Sequence, residues 1–141
     1  MVNTIIDAIA LKLSTELGEG FTVYKERQGQ GANIPCFFIF LHSSNQKKMI
    51  GRRYFREQQF TVEYHPGTDN KNSEIHDMID RLNQLLEYVT AEGNFYRGTK
   101  MNCDVADGIL RFYVNYNLYV YKEIEVVDTM ESLKSAMELQ K

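Results

Sequence analysis

The sequence predicts an α+β domain: a mainly antiparallel sheet of about five strands with two helices packed on one face, a projecting β-hairpin arm and a C-terminal helix. Three observations predict this class. Residues 109–121 alternate between apolar and polar side chains, residues 70–89 carry an apolar stripe at helical spacing, and tight turns separate consecutive strands. We expect residues 1–123 to form a single domain and residues 124–141 to form a C-terminal amphipathic helix or arm.

The alternation over residues 109–121 predicts one long strand with a buried face, because successive side chains of a strand point to opposite sides. The apolar set is Leu110, Phe112, Val114, Tyr116, Leu118 and Val120. The opposite set is Arg111, Tyr113, Asn115, Asn117, Tyr119 and Tyr121. Tyrosine and arginine combine a large contact area with polar groups and are enriched where another protein docks. The strand therefore predicts an interaction surface on the uncovered side of the sheet.

The composition is that of an ordinary globular domain, with 141 residues, 43% hydrophobic side chains and 25% charged ones. A net charge of −3 argues against generic nucleic-acid binding by the isolated subunit. No apolar run approaches the roughly 18 residues of a membrane span, and the first residues lack the features of a signal peptide. Cys36 and Cys103 are expected to be buried reduced thiols of a cytosolic protein; a disulfide between them is the alternative.

The N-terminal third predicts a helix followed by two strands. Asn3 can cap a helix that ends at Gly18, with an apolar stripe at Ile5, Ile6, Ile9, Leu13 and Leu17. Residues 21–26 predict a short strand, and residues 27–33 predict a glycine-containing loop. Residues 34–42 are apolar without alternation, which predicts a central strand covered on both faces.

A turn is predicted at residues 43–46, and a strand over residues 48–64 then returns along the sheet. The alternation of apolar and polar side chains is not consistent along this returning strand. The face that points to the core carries Phe60, Val62 and Tyr64. Extending the alternation backward places Arg56, Arg52 and Lys48 on the same face. Unpaired basic groups cannot be buried in a core. Either a bulge between Arg56 and Phe60 changes the register, or the first part of the strand projects from the body as a two-stranded arm. We favour the arm.

Residues 70–89 predict the strongest helix, capped by Asn72 or Ser73. Its stripe is Ile75, Met78, Ile79, Leu82, Leu85, Leu86 and Val89. A second amphipathic helix is predicted over residues 128–140, and its shared face is Met130, Leu133, Ala136 and Met137.

Between these helices the sequence predicts a β-hairpin. A strand from residue 95 to about residue 103 is expected to pair with the strand over residues 109–121. Asp107 and Gly108 would form the turn, because this dipeptide favours the positive φ angles of a two-residue hairpin loop.

The sequence predicts no enzyme, no cofactor and no metal site. Gly29 and Gly31 lack the third glycine and the following helix of a dinucleotide fingerprint. The histidines, His42, His65 and His76, lack metal-ligand spacing, and no serine or cysteine lies in a nucleophile motif. We therefore assign no catalytic, cofactor-binding or metal-binding residue.

Five of the sixteen basic residues cluster in the predicted arm: Lys47, Lys48, Arg52, Arg53 and Arg56. One interpretation is a solvated hairpin whose charges discourage edge-to-edge aggregation. The other is contact with a polyanion or with an acidic neighbouring subunit. Tyr54 and Phe55 interleave the arginines, which suits either a protein interface or nucleic acid.

Several short segments carry a resemblance through their order and spacing. They are Pro35-Cys36-Phe37-Phe38, the run from Gly51 to Arg56, Tyr64-His65-Pro66, Leu85-Leu86-Glu87-Tyr88, Arg97-Gly98, and Met101 leading to the run from Asp107 to Phe112. Together, over about residues 3–121, they resemble the phage tail terminators of Gram-positive phages and of prophages that make phage-tail-like particles. None of these motifs is catalytic, and the segment from Asp128 onward is not part of the resemblance.

The resemblance implies a structural protein of the virion tail or neck, made in the cytoplasm of the bacterial host. Tail terminators are α+β subunits that form a hexameric ring at the head-proximal end of the tail tube, where they stop tube polymerisation. The implied partners are further copies of this chain, the tail tube protein, the head-tail connector and, in contractile tails, the sheath protein. DNA passes through the lumen during ejection, and no membrane is involved.

We expect the interfaces to use the arm, the polar side of the long strand and the C-terminal helix. The residues are Lys47, Lys48, Arg52, Arg53, Arg56, Arg111, Tyr113, Tyr119, Tyr121, Met130, Leu133 and Met137. Two alternatives stay open. One is another neck component, such as a head-completion protein. The other is a soluble module that binds a small molecule or nucleic acid through the sheet face and the loop at Gly29 and Gly31.

Overall fold

The computed structural model describes residues 2–26, 33–69 and 71–122. Within these ranges the chain forms two helices and seven strands. The helices are α1, Val2–Leu17, and α2, Lys71–Leu85. The strands are β1, Thr22–Tyr24; β2, Cys36–Lys48; β3, Arg53–His65; β4, Tyr88–Ala91; β5, Asn94–Ala106; β6, Ile109–Tyr116; and β7, Leu118–Tyr121.

The strands form one strongly curled sheet in the order β1-β2-β3-β6-β5-β4, and β7 lies beside β3 as a continuation of β6. β1 pairs in parallel with β2, whereas the other described pairs are antiparallel. The predicted α+β class with a mainly antiparallel sheet is confirmed. The described strands number seven rather than about five, because β4 was not predicted and the long strand is divided into β6 and β7.

The strand predicted over residues 109–121 is present as β6 and β7, with a break of one residue between them. Gln59 of β3 pairs with Asn115, and Arg56 pairs with Leu118, so the register along β3 does not change across the break. The predicted buried side of β6 is confirmed, since Leu110, Phe112, Val114 and Tyr116 are all buried. Asn115, on the opposite side of the strand, is buried as well.

Both helices pack on this side of the sheet, because each presents an apolar stripe at helical spacing. Helix α1 buries Ile5, Ala8, Ile9 and Leu13, and α2 buries Ile75, Met78 and Leu82. They share one core with the inward residues of β2, β3 and β6, among them Phe37, Ile39, Phe60, Val62 and Tyr64. Two helices on one face of the sheet were predicted, and this is confirmed.

The predicted helix over residues 70–89 is too long. Helix α2 ends at Leu85, and Val89 lies in β4, where exposed and buried side chains alternate. Val89 satisfies both patterns, because it falls on the helical stripe and also on the inner side of a strand. Glu92 and Gly93, with φ angles of 51° and 79°, then form the turn that joins β4 to β5.

Of two predicted turns, one is confirmed and one is wrong. Asp107 and Gly108 join β5 to β6 with φ angles of 55° and 72°. The turn predicted at residues 43–46 is wrong, because β2 continues through these residues and the chain reverses at residues 49–52. Gly51, with a φ of 72°, adopts the left-handed conformation that this reversal requires.

The hairpin arm, defined here as residues 43–58 together with β7, projects from the core, and its base is packed, since Gln58 is buried. Every residue from 42 to 53 is exposed. The register shift lies in β2, between Leu41 and Ser43, and β3 stays in register with β6 and β7. The alternative of a bulge in β3 is therefore wrong. The arm has three strands rather than the predicted two, because β7 pairs with β3.

Two predicted segments fall on residues that the structure does not describe. The C-terminal helix, with Met130, Leu133, Ala136 and Met137, lies outside the described residues, as does most of the loop over residues 27–33. Neither described helix is long and apolar enough to cross a membrane.

A carboxylate links α2 to the end of β3. Glu74 accepts hydrogen bonds from the Tyr64 hydroxyl at 2.9 Å, from the amides of Gly67 at 3.4 Å and Thr68 at 3.3 Å, and from the Thr68 hydroxyl. Burial by itself raises the pKa of the Glu74 carboxyl, but the hydrogen bonds outweigh it, so that the pKa lies below its ordinary value.

The substitution Glu74→Gln is expected to lower the free energy of unfolding at neutral pH by about 1.5–3 kcal/mol, the usual contribution of a hydrogen bond to a charged group. A lowered folded-state pKa adds stability above the unfolded-state pKa, and this stability is lost as the pH falls through the folded-state pKa. The difference between the two proteins should therefore shrink below the ordinary glutamate pKa of 4.5. Urea denaturation from neutral pH to about pH 3 measures it. The control is Glu16→Gln on the exposed side of α1, and a pH-independent difference for Glu74→Gln contradicts this role.

Candidate interaction surface

The hairpin arm presents two faces, because side chains alternate along each of its strands. Cross-strand pairing places Lys47 and Tyr119 on either side of Phe55, and Tyr121 beside Arg53. We call this side the aromatic face and define it by these five residues.

Ring and cation contacts order the aromatic face. The Phe55 and Tyr119 ring centroids lie 5.0 Å apart. The Arg53 guanidinium lies 5.4 Å from the centre of the Tyr119 ring and 5.5 Å from that of Tyr121, within cation–π distance. Tyr119 and Tyr121 are nevertheless 54% and 65% exposed. The face is thus ordered within the subunit while it offers a large ring area to another molecule.

The opposite side of the arm, the reverse face, uses basic side chains within the subunit. Arg56 donates two hydrogen bonds to the Gln46 side-chain oxygen, at 2.8 and 3.2 Å, across the β2–β3 pair. The Lys122 ammonium lies 4.3 Å from the centre of the Tyr54 ring. These contacts stabilise the arm itself.

The five basic residues predicted as one cluster are therefore divided by the strand geometry. Lys47 and Arg53 lie on the aromatic face, and Lys48 and Arg56 lie on the reverse face. Arg52 lies in the turn at the tip. The prediction that they share one contact does not follow from their adjacency in sequence, because alternate residues of a strand face opposite ways.

The tip of the arm exposes an apolar side chain that sequence reasoning missed. Ile50 is 96% exposed, and Met49 before it is also exposed. The available signal was an apolar pair directly between Lys48 and Gly51 in a polar stretch. Apolar side chains exposed at the end of a projection are typical of contact sites.

Two predicted interface residues, Arg111 and Tyr113, are engaged within the subunit. The Arg111 Nε lies 3.5 Å from a carboxylate oxygen of Glu63. The half-buried Tyr113 ring packs edge-on against His42 at 5.5 Å, and its hydroxyl donates to Asp104 at 3.4 Å. The polar side of the long strand thus has an inner part occupied by contacts within the subunit and an outer part, on β7, that is exposed.

The two thiols have a geometry suited to packing. Cys36 is buried, Cys103 is partly buried, and both are free thiols rather than a disulfide. Burial raises the pKa of each thiol, and the carboxylates of Glu63 and Asp104 respectively add to the effect. Among residues 2–26, 33–69 and 71–122, no group of histidine, cysteine and acidic side chains is suited to a metal ion.

These features define a structural subunit, with a packed α+β body and an arm that carries exposed, ordered rings. The family model described as phage tail terminator protein matches residues 4–128. The chain therefore belongs to the phage tail terminator family, a structural and non-enzymatic family of phage tail components. Membership implies interaction with tail tube proteins, and the resemblance seen in the sequence is confirmed.

Similarity to other known proteins is more distant. One solved structure shares 9% sequence identity with this protein, with a TM-score of 0.38. The superposition covers 88% of this chain and 94% of the chain in that structure. No curated protein sequence matches the chain.

Proposed function

We propose that this protein forms a ring at the head-proximal end of the tail tube, where it ends tube polymerisation and offers the docking surface for the head connector. Six subunits is the number that the family resemblance implies. The observation that carries the proposal is the aromatic face, where exposed rings and basic side chains lie on an arm outside the core. A contact surface held away from the body can reach a neighbouring subunit without rearrangement of the fold.

Termination in this arrangement is steric. One end of the ring matches the last ring of tube subunits, and the other end does not repeat that surface, so that no further tube subunit adds. The second end is then free to receive the connector. Repetition of one heterologous contact around an axis closes the ring when the rotation between neighbours is a simple fraction of a turn.

Another neck component, such as a head-completion protein, is the competing function. Electron microscopy of particles made without this protein separates the two. A terminator leaves overlong tubes, because nothing stops their growth, whereas a head-completion protein leaves tubes of normal length without heads.

The double substitution Arg52→Glu with Arg53→Glu reverses the charge of two adjacent side chains. It is expected to reduce the yield of normal-length tubes at least about tenfold. The reason is that the doubly substituted arm loses its cation–π contacts and presents the wrong charge to its partner. The fold should remain intact, since the tip and the aromatic face lie outside the core. Tube length and particle yield are measured by electron microscopy.

The matched control reverses two exposed arginines away from the arm, Arg81→Glu on α2 and Arg97→Glu on β5. This variant has the same net charge and should assemble normally. The proposal would be contradicted if the arm variant gave wild-type particle yield and tube length, equal to those of the control variant.

A further inference from the structure

The described chain ends at the tip of the arm. Strand β7 runs outward along β3, since Leu118 pairs with Arg56 and Tyr121 pairs with Arg53. The Lys122 amide then donates to the Arg52 carbonyl in the tip turn at 3.1 Å. Lys122, the last described residue, therefore lies at the distal end of the arm, and residues 123–141 follow it in the sequence.

The sequence of residues 123–141 disfavours an early return along the same arm. It contains no glycine, proline or asparagine, and these residues supply most tight reversals. Nineteen residues span about 60 Å when extended, at about 3.3 Å per residue, and about 28 Å as a helix. Either length compares with the roughly 30 Å width of a domain of this size. The segment can thus reach across a neighbouring subunit.

The segment and the arm are complementary in charge. Residues 123–141 carry five carboxylate side chains and two lysines. Residues 43–58 of the arm carry five basic side chains and one acidic side chain. Of these, Lys47, Arg53 and the acidic Glu57 lie on the side of the aromatic face, and Arg52 lies in the tip turn. Opposite charges on two surfaces raise the association rate and select the orientation of docking.

The apolar residues match as well. The predicted stripe of the segment includes Met130, Leu133 and Met137. The aromatic face exposes the Tyr119 and Tyr121 rings. Methionine sulphur makes favourable contacts with aromatic rings, and the unbranched side chain adapts to an irregular ring surface.

We propose that residues 123–141 of one subunit dock on the aromatic face of the arm of a second copy of this chain. Each arm then accepts one segment, and each subunit donates one, which is a head-to-tail contact that closes into a ring. This inference rests on the proposed ring and names the element that joins its subunits.

The test places a photo-crosslinking phenylalanine analogue at position 121 of the full-length protein. Unlabelled analogue-containing protein is mixed with an equal amount of ¹⁵N-labelled protein, irradiated and digested with trypsin. The expected product joins the unlabelled residue 121 peptide to a labelled peptide of residues 123–134, which trypsin releases between Lys122 and Lys134. Mass spectrometry reads the two isotopes directly.

Two further proteins make the result specific. The same analogue at position 95, where Phe95 is 78% exposed on the body, should give no such product. Leu133→Asp with Met137→Asp in the labelled partner should reduce the mixed product at least about tenfold, because two buried apolar contacts are lost.

The inference is overturned if position 121 gives no product with residues 123–134, gives products within one chain alone, or gives no more than position 95. Products with a tube protein added to the mixture, at the expense of the mixed-isotope product, would assign the face to the tube instead. No tail tube is needed for the main assay. The crosslinking assay can fail while particles that lack the protein still have overlong tubes. That combination would overturn the docking proposal and leave the proposed terminator function intact.

Discussion

The substitution Gly98→Ala is expected to lower the free energy of unfolding by about 1–3 kcal/mol, the usual cost of overpacking. A Cβ at this position would lie 2.5 Å from the Leu86 carbonyl oxygen and 2.9 Å from a Val114 methyl group. The Gly98 amide also donates to the Glu87 carbonyl at 2.6 Å. Because the closest obstacle is backbone, the added methyl forces the chain between α2 and β4 away from β5.

Urea denaturation measures this loss of stability, and the matched control is Gly20→Ala. An added Cβ at Gly20 meets no atom within 4 Å. We therefore expect its free energy of unfolding to change by less than about 0.5 kcal/mol, as at an ordinary surface position. Equal unfolding midpoints for the two variants would show that β5 does not approach the α2–β4 connection this closely.

The same region shows where sequence patterns reach their limit. The long alternating strand and the Asp107–Gly108 turn could be predicted, because local periodicity and turn chemistry specify them. Strand β4 could not, because Val89 fits a helical stripe and a strand equally well. This segment forms a strand rather than a helix because it pairs with β5, with Val89 opposite Tyr96. Such a non-local partner is invisible in a short window of sequence.

The arm was predictable in part for a physical reason. Basic residues at core parity in the strand predicted over residues 48–64 cannot be buried unpaired, and this predicts that the strand leaves the body. The third strand of the arm was not predictable, because it depends on the pairing of β7 with β3. Nor did composition show that Tyr113 contacts His42 and Asp104 while Tyr119 stays exposed. The two tyrosines lie on the same side of the consecutive strands β6 and β7, and Tyr113 lies closer to the core than Tyr119.

The burial of β6 and the exposure of β7 predict that substitutions on the two strands differ greatly in their effect on stability. Phe112→Ala is expected to lower the free energy of unfolding by about 3–5 kcal/mol, since Phe112 is buried in the centre of the core. Tyr119→Ala should change it by about 1 kcal/mol or less, because the lost contacts with Phe55 and Arg53 lie on an exposed face. Urea denaturation of the purified proteins measures both values.

Assembly should respond in a different order from stability. Tyr119→Ala is expected to fold normally and still to fail in tube termination, because it removes the exposed ring that contacts both Phe55 and Arg53 on the aromatic face. Phe112→Ala should lose assembly in proportion to its unfolded fraction, and a lower temperature should restore part of it. A Tyr119→Ala protein that unfolds as readily as Phe112→Ala would place the arm in the fold rather than in the interface. Normal tubes from a folded Tyr119→Ala protein would remove the aromatic face from the mechanism, since this substitution leaves the core intact.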